Sequence, residues 1–189
     1  KAELIGPCVD AEAAVAGRHA DNVAPSLLGG LILIRSLDPP DFVRLPVPEG
    51  LTLAVVTPKY EVNTREARAA LPAGVPLEHM VRNTANLAAF ASACFSGDLG
   101  LLARAMEDHV VTPARAKLIP GCLDVIDSAL GAGALGSSIS GSGPSMFAVC
   151  RSERSAGDAA RAMQAAFARA GLESSAILSP ADCPGVRER

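Results

Sequence analysis

The segment from Gly136 to Ser145, called here the glycine loop, combines residue types that suit the binding of an anion. It reads Gly-Ser-Ser-Ile-Ser-Gly-Ser-Gly-Pro-Ser and lies between short apolar runs at residues 134–135 and 146–150. Because glycine adopts positive φ at little steric cost, the pattern predicts a strand, a tight loop and a second strand. Successive backbone N–H groups in such a loop form a concavity for an anion, and serine hydroxyls add donors. An ordinary β-hairpin turn would produce the same pattern.

A second cluster of polar residues occupies positions 18–25, which read Arg-His-Ala-Asp-Asn-Val-Ala-Pro and precede an apolar run that begins at Leu27. Polar groups packed beside an apolar segment need partners, either from the protein or from a ligand. One interpretation is a helix cap and turn, in which Asp21 or Asn22 accepts backbone N–H bonds. The other is a ligand site, and the residues alone leave both open.

Apolar periodicity and turn residues predict the elements that must position these groups. Besides the two strands at the glycine loop, the sequence predicts strands at residues 31–35, 51–57 and 174–178. It predicts helices at residues 2–17, 64–72, 77–95, 99–108 and 152–171. Between the last two, it predicts one helix that starts at residue 112 and another that follows residues 118–121 and ends at about residue 130. The order strand, helices, hairpin, helix, strand implies an α+β sandwich with a ferredoxin-like sheet.

Particular residues are predicted to start helices or to face the core. Thr64 is expected to cap a helix on which Arg68 lies one turn later, so that the two share a face. Thr112 is expected to cap another, with Pro113 at its first position. Within the helix at 77–95, apolar residues recur at helical spacing and predict a stripe that faces the core. The stripe consists of Leu77, Met80, Val81, Thr84, Leu87, Ala88, Ala91 and Cys94.

Composition excludes several classes of protein. The chain has 189 residues, is 49% hydrophobic and carries a net charge of −3, which offers no basic field for nucleic acid. Its longest apolar run, the 8 residues 27–34, is too short to span a bilayer. The 5 cysteines are isolated and odd in number, which argues against a zinc site or a disulfide framework and fits a reducing cytoplasm.

Four segments taken together resemble the homoserine kinase family of the GHMP kinase superfamily. They are the block at 18–30, Thr-Arg-Glu-Ala-Arg at 64–68, Pro-Ala-Arg-Ala-Lys-Leu-Ile-Pro-Gly at 113–121, and the glycine loop with its approach at 133–144. Their order and spacing match across nearly the whole chain, and the first and third blocks are more specific than the loop. The resemblance implies a GHMP kinase fold, with a ferredoxin-like C-terminal domain at residues 51–189 and the remnant of an N-terminal domain at residues 1–50.

The resemblance also implies a reaction, the transfer of the ATP γ-phosphoryl group to the hydroxyl of L-homoserine in threonine biosynthesis. Arg68 and Arg115 correspond to the residues that bind the substrate carboxylate, for which a planar guanidinium is well suited. His19 and Asp21 correspond to further substrate contacts, Asp21 being suited to the ammonium group. Thr64 lies close enough in sequence to assist in substrate binding.

The cofactors implied by the resemblance are ATP and Mg²⁺. Glu12 corresponds to the magnesium-binding glutamate, and Mg²⁺ typically takes one or two protein carboxylates beside phosphate oxygens. No residue is assigned as a general base. The neighbours expected at the phosphate site are Ser140, Gly141, Ser142 and Gly143.

Two motifs of the family are missing from the chain. One is a substrate-contacting motif near the N-terminus, and the other is Pro-x-x-x-Gly-Leu-Gly-Ser-Ser, which wraps the ATP phosphates. We therefore expect the chain to be the C-terminal two thirds of a cytoplasmic kinase that is a homodimer when complete and has no nucleic-acid or membrane partner. The alternatives are another small-molecule kinase of the superfamily or a non-catalytic binding domain.

Overall fold

The computed structural model describes residues 1–14 and 17–187, and the side chains of Ala2 and Thr64 lie outside this description. The helices are α1 (Ala2–Ala13), α2 (Val23–Leu28), α3 (Thr64–Ala69), α4 (Leu77–Ser96), α5 (Leu99–Ala105), α6 (Val111–Ala116), α7 (Cys122–Gly131) and α8 (Glu153–Arg169). The strands are β1 (Leu31–Leu37), β2 (Pro40–Leu45), β3 (Thr52–Pro58), β4 (Gly136–Ile139), β5 (Met146–Cys150) and β6 (Ser174–Pro180).

The chain divides into two compact units, and the first consists of the described residues of Lys1–Pro48 and Ala181–Arg189. Its strands β1 and β2 form an antiparallel pair, and α1 packs against α2. The C-terminal segment joins this unit because the Gly30 N–H donates to the Cys183 carbonyl at 3.0 Å. A core cluster in this unit consists of the buried residues Ile5, Val9, Ala20, Ala24 and Leu27.

The second unit, Glu49–Pro180, contains an antiparallel four-stranded sheet in the order β4-β5-β3-β6. Ala54 in β3 lies opposite Ala148 in β5 and Leu178 in β6, so β3 is a central strand. Helices α7 and α8 pack together, and α8 covers the sheet. Ser152 begins α8 with a capping box, as the sequence predicts for this position. The predicted α+β sandwich with a ferredoxin-like sheet is confirmed.

Two predicted helix caps are wrong by a few residues. The side chain of Asn63, not Thr64, accepts the Arg65 N–H at the start of α3. At α6 the carboxylate of Asp108 accepts backbone N–H groups, whereas Thr112 lies inside the first turn. In each case a carbonyl or carboxylate oxygen slightly upstream reaches the free N–H groups of the first turn.

Element ends in the first unit also differ from prediction. The helix predicted to run to Gly17 ends at Ala13, and residues 15 and 16 lie outside the described part of the chain. Strand β2 was not predicted, because its two leading residues, Pro40 and Asp41, are disfavoured in strands. Pro40 is the first residue of the strand, where its missing N–H donor matters least.

The apolar stripe predicted to face the core along α4 is largely exposed. Leu77 is 71% exposed and Leu87 53%, while Ala93 and Cys94 are the buried residues of this helix. The side of α4 that contacts the protein carries asparagines: Asn83 donates to the Asp108 carboxylate at 2.9 Å, and Asn86 donates to the Glu107 carbonyl at 2.8 Å. Helical spacing identifies an apolar face but not what covers it. Neither α4 nor any other helix in residues 1–14 and 17–187 is long and apolar enough to cross a membrane.

Candidate active site

The first residues of the glycine loop form β4, and its residues 140–145 form a tight hairpin turn that leads into β5, as predicted. The Ser140 N–H donates to the Ser145 carbonyl at 2.8 Å, and the Gly143 N–H donates to the Ser140 carbonyl at 3.0 Å. Gly141 and Gly143 have φ of 59° and 84°, which explains the need for glycine. Within the described residues the N–H groups of Gly141 and Ser142 form no hydrogen bond, so two consecutive donors are available for an anion. The hairpin and anion-site interpretations are therefore compatible.

The loop rests on the segment that carries the third sequence motif. A Cβ added at Gly143 would lie 2.7 Å from the Cδ1 of Ile119, closer than side chains pack. Ile119 itself is 2% exposed and belongs to the core cluster of the second unit. Glycine at 143 thus lets the loop backbone approach the Leu-Ile-Pro-Gly turn, which explains why the two motifs occur together.

Arg115, in α6, connects the glycine loop to α3. Its Nε donates to the Ala67 carbonyl at 3.2 Å, and its Nη1 donates to the Gly141 carbonyl at 2.8 Å. The residue is half-buried rather than fully solvated. A guanidinium has five N–H donors, and these two bonds leave three for other partners. A cation with free donors beside a loop with free N–H groups suits a ligand with several negatively charged oxygens.

Two further predicted substrate residues lie on α3. Arg68 follows Ala67, whose carbonyl Arg115 binds, and Arg68 is exposed. Thr64 is the first residue of α3, but its side chain lies outside the described part of the structure. The contact from Arg115 to Ala67 therefore fixes the backbone of the helix that carries Arg68.

The remaining predicted site residues lie in the first unit. Glu12 is half-buried on α1, His19 is half-buried, and Asp21 is exposed just before α2. Asn22 is at the N-cap position of α2 but makes no side-chain cap bond, and within residues 1–14 and 17–187 the Asp21 carboxylate accepts none either. The capping interpretation is therefore wrong for Asp21 and Asn22, and the ligand-site interpretation of this block stays a prediction.

Asp108 is a positioning residue that the sequence did not identify. Its Oδ1 accepts the N–H groups of Val110 and Val111 at 2.9 and 3.1 Å, and its Oδ2 accepts that of Thr112 at 2.5 Å. Burial raises the pKa of the Asp108 carboxyl, but these bonds and one from Asn83 outweigh it and lower the pKa from 3.8 to about 2. The Asp108 carboxylate thus fixes the start of α6, the helix that carries Arg115 in its last turn.

Hydroxyl pairs hold the two ends of the hairpin. Thr57 and Ser145 lie 2.9 Å apart at their Oγ atoms, and Thr112 and Ser138 lie 3.1 Å apart. The first pair ties β3 to the end of the loop, and the second ties α6 to β4. Both pairs join segments distant in sequence, so no local pattern could have predicted them.

Comparison with known proteins identifies the relatives of this chain. Residues 89–169 match the family described as GHMP kinases C terminal. The chain is 41% identical to the homoserine kinase of Chlorobium phaeovibrioides over 99% of its own length and 59% of that protein. It is 40% identical to the homoserine kinase of Arabidopsis thaliana, covering 98% of this chain and 51% of that protein.

The chain is also similar in structure to a solved homoserine kinase. The crystal structure of homoserine kinase from Cytophaga hutchinsonii matches with a TM-score of 0.94 and 42% identity, covering 97% of this chain and 59% of that one. The chain therefore spans 51–59% of the length of these relatives, and the predicted GHMP kinase fold is confirmed. The chain is similar to homoserine kinases over nearly its whole length, and its residues 89–169 match the C-terminal domain described for GHMP kinases.

Proposed function

We propose that the protein to which this chain belongs transfers the γ-phosphoryl group of ATP to the hydroxyl of L-homoserine, as a step of threonine biosynthesis. The observation that carries the proposal is the position of Arg115, anchored to the carbonyls of Ala67 and Gly141 beside the glycine loop. The names of the relatives at 41% and 40% identity support this substrate.

Homoserine carries a carboxylate, an ammonium and the reacting hydroxyl, and the predicted residues offer a partner for each charged group. The remaining N–H donors of Arg115, with Arg68, bind the carboxylate through charge-assisted hydrogen bonds. Asp21 binds the ammonium, while His19 and Thr64 orient the substrate. Phosphoryl transfer depends mainly on positioning and charge stabilisation, so the reaction needs no dedicated general base.

The glycine loop fits a phosphate group better than it fits a metal ion. The free N–H groups of Gly141 and Ser142, with the loop hydroxyls, supply donors for phosphate oxygens of ATP. Residues 1–14 and 17–187 contain no group of three or more His, Cys, Asp or Glu side chains placed to hold a metal. Mg²⁺ beside a nucleotide takes one or two carboxylates and phosphate oxygens, so Glu12 alone is the ligand we propose.

We also propose a cytoplasmic location and a homodimeric complete enzyme. The isolated cysteines support the first, since such cysteines fit a reducing compartment. The exposed apolar side chains of α4 support the second, because a large exposed apolar patch marks an interaction surface.

The test is a coupled assay of ADP release by the complete gene product. Homoserine, mevalonate and shikimate are compared as acceptors at equal concentration. We expect a clear preference for homoserine. Equal or greater activity with mevalonate or shikimate would favour another kinase of the superfamily, and no ADP release with any acceptor would favour a binding domain.

A further inference from the structure

A cavity of about 470 Å³ opens beside the outer edge of β4. Strand β4 is at the edge of the four-stranded sheet, so its only partner strand in the described sheet is β5. The cavity lies between this edge and helices α5, α6 and α7, each of which contributes lining residues. Its volume falls in the range of small-molecule sites.

One wall of the cavity is a row of aliphatic side chains on α7. Leu123, Ile126 and Leu130 recur at helical spacing and all line the cavity. Leu123 is 59% exposed and Leu130 44%, although residues of this type are usually covered. Met106, which follows α5, also lines the cavity and lies close to Gly136 in β4. These side chains suit an aliphatic group.

Polar and negatively charged side chains also line the cavity. Thr112 and Ser138 lie there with their hydroxyls 3.1 Å apart. Asp108 and Glu107 also line the cavity. The Asp108 carboxylate is already hydrogen-bonded, so the 70% exposed carboxylate of Glu107 is the acceptor with room for a further donor. Two neighbouring carboxylates favour a cation and disfavour an anion.

The cavity borders the start of the glycine loop, because Gly136, Ser137 and Ser138 line it. Helix α6 presents Pro113 and Ala116 to the cavity, whereas Arg115 on the same helix donates to Ala67 and Gly141. Among the side chains that the structure describes, none of those predicted to bind substrate, phosphate or metal lines the cavity. Its chemistry also differs, since the candidate active site offers cationic and N–H donors and the cavity offers carboxylates.

From this arrangement we propose that the cavity binds a small aliphatic amine, with the alkyl chain against Leu123, Ile126 and Leu130 and the ammonium group at Asp108 and Glu107. The ammonium donates to carboxylate and hydroxyl oxygens, and the alkyl chain removes the exposed leucines from water. The proposal does not depend on the kinase activity proposed above, because it concerns binding by the second unit alone.

Calorimetric titration of butylamine, pentylamine and hexylamine into the 189-residue chain tests the proposal. Because each methylene buried contributes to affinity, we expect the dissociation constant to fall by up to about fourfold per carbon. Hexanoate has the same chain with a carboxylate head and is expected to bind at least about tenfold more weakly than hexylamine. No saturable binding of hexylamine at millimolar concentration, or equal binding of hexanoate, would overturn the proposal.

Substitutions inside and outside the cavity test where the amine binds. Leu130→Gln should weaken hexylamine severalfold, while Leu87→Gln, an exposed leucine of α4 outside the cavity, should leave affinity unchanged. Glu107→Gln should weaken hexylamine but not 1-hexanol, which separates the head group from the chain. Equal effects of the two leucine variants would contradict the assigned location. Binding by this chain but not by the complete gene product would also overturn the proposal, because the rest of the protein would then occupy the cavity.

Discussion

Arg115 illustrates what residue types and spacing can and cannot predict. The family resemblance predicts, through its motif, that Arg115 binds the substrate carboxylate. The structure places it half-buried, with bonds to the carbonyls of Ala67 and Gly141. Those acceptors lie 48 and 26 residues away in sequence, so no local pattern could reveal them. Arg115 therefore also holds α3 and the glycine loop together, a structural role that the motif did not predict.

The first prediction concerns the stability that Arg115 contributes. Arg115→Leu leaves the carbonyl of buried Ala67 without its donor, which should lower the free energy of unfolding by about 1–3 kcal/mol. Urea denaturation of the chain measures this. Arg82→Leu is the matched control, because Arg82 forms only an exposed pair with Glu78 at 3.0 Å and should change stability by about 0.5 kcal/mol or less. Equal effects in the two variants would show that the contacts of Arg115 add no stability.

A second prediction at this scale concerns Asp108 and pH. Asp108→Asn should cost about 0.5–2 kcal/mol near neutral pH, because the charged cap of α6 is lost. The folded-state pKa of about 2 is below the ordinary value of 3.8, so this stability is present above about pH 4 and is lost as pH falls toward 2. The difference between wild type and variant in urea denaturation should therefore shrink in acid. A difference independent of pH would contradict this assignment.

At the scale of elements, the sequence predicted the type of most helices and strands but not which face each buries. In α4 the predicted stripe is exposed, because Asn83 and Asn86 on another face bind the segment after α5. Thr112 is not a cap for a similar reason, since the Asp108 carboxylate accepts the N–H groups of Val110, Val111 and Thr112 and α6 begins one residue earlier, at Val111. Both errors arise because contacts between segments distant in sequence decide which face of a helix is buried and which residue caps it, and local sequence patterns do not contain those contacts.

The third prediction concerns the two glycines of the loop. Gly143→Ala must accommodate both a positive φ and the approach of its Cβ to Ile119, whereas Gly141→Ala meets nothing within 4 Å. We expect Gly141→Ala to cost about 1–2 kcal/mol through backbone strain alone, and Gly143→Ala to cost more. Thermal or urea denaturation of the two variants makes the comparison. If Gly143→Ala were the milder change, the close packing of the loop on Ile119 would be in doubt.

At the scale of the whole molecule, resemblance of motifs identified the family, while residue patterns alone gave only the α+β class. The assignment of residues 1–50 to an N-terminal domain remains a prediction, as do the roles of Glu12, His19 and Asp21. Those roles depend on groups brought together from distant parts of a protein. This chain spans only 59% of the length of one such relative. Sequence order alone does not specify such distances.

The fourth prediction concerns self-association of the chain. In the described first unit β1 pairs only with β2, so one edge of β1 is unpaired, and α4 exposes Leu77, Leu87 and Phe95. We expect oligomers in size-exclusion chromatography with light scattering. The double variant Leu87→Glu and Phe95→Glu should reduce the apparent mass if α4 contributes. A monodisperse monomer for the unmodified chain would refute the prediction.

The most direct test of the proposed substrate site is kcat/KM for homoserine in the complete gene product carrying Arg115→Leu. Loss of a charged hydrogen bond to the carboxylate should lower kcat/KM by roughly 10- to 150-fold, with little change in KM for ATP. For 3-aminopropan-1-ol, which lacks the carboxylate, wild type and variant should differ little, and Arg82→Leu should behave as wild type. Equal kcat/KM for homoserine in wild type and Arg115→Leu would contradict the assignment of Arg115, and with it that of Arg68.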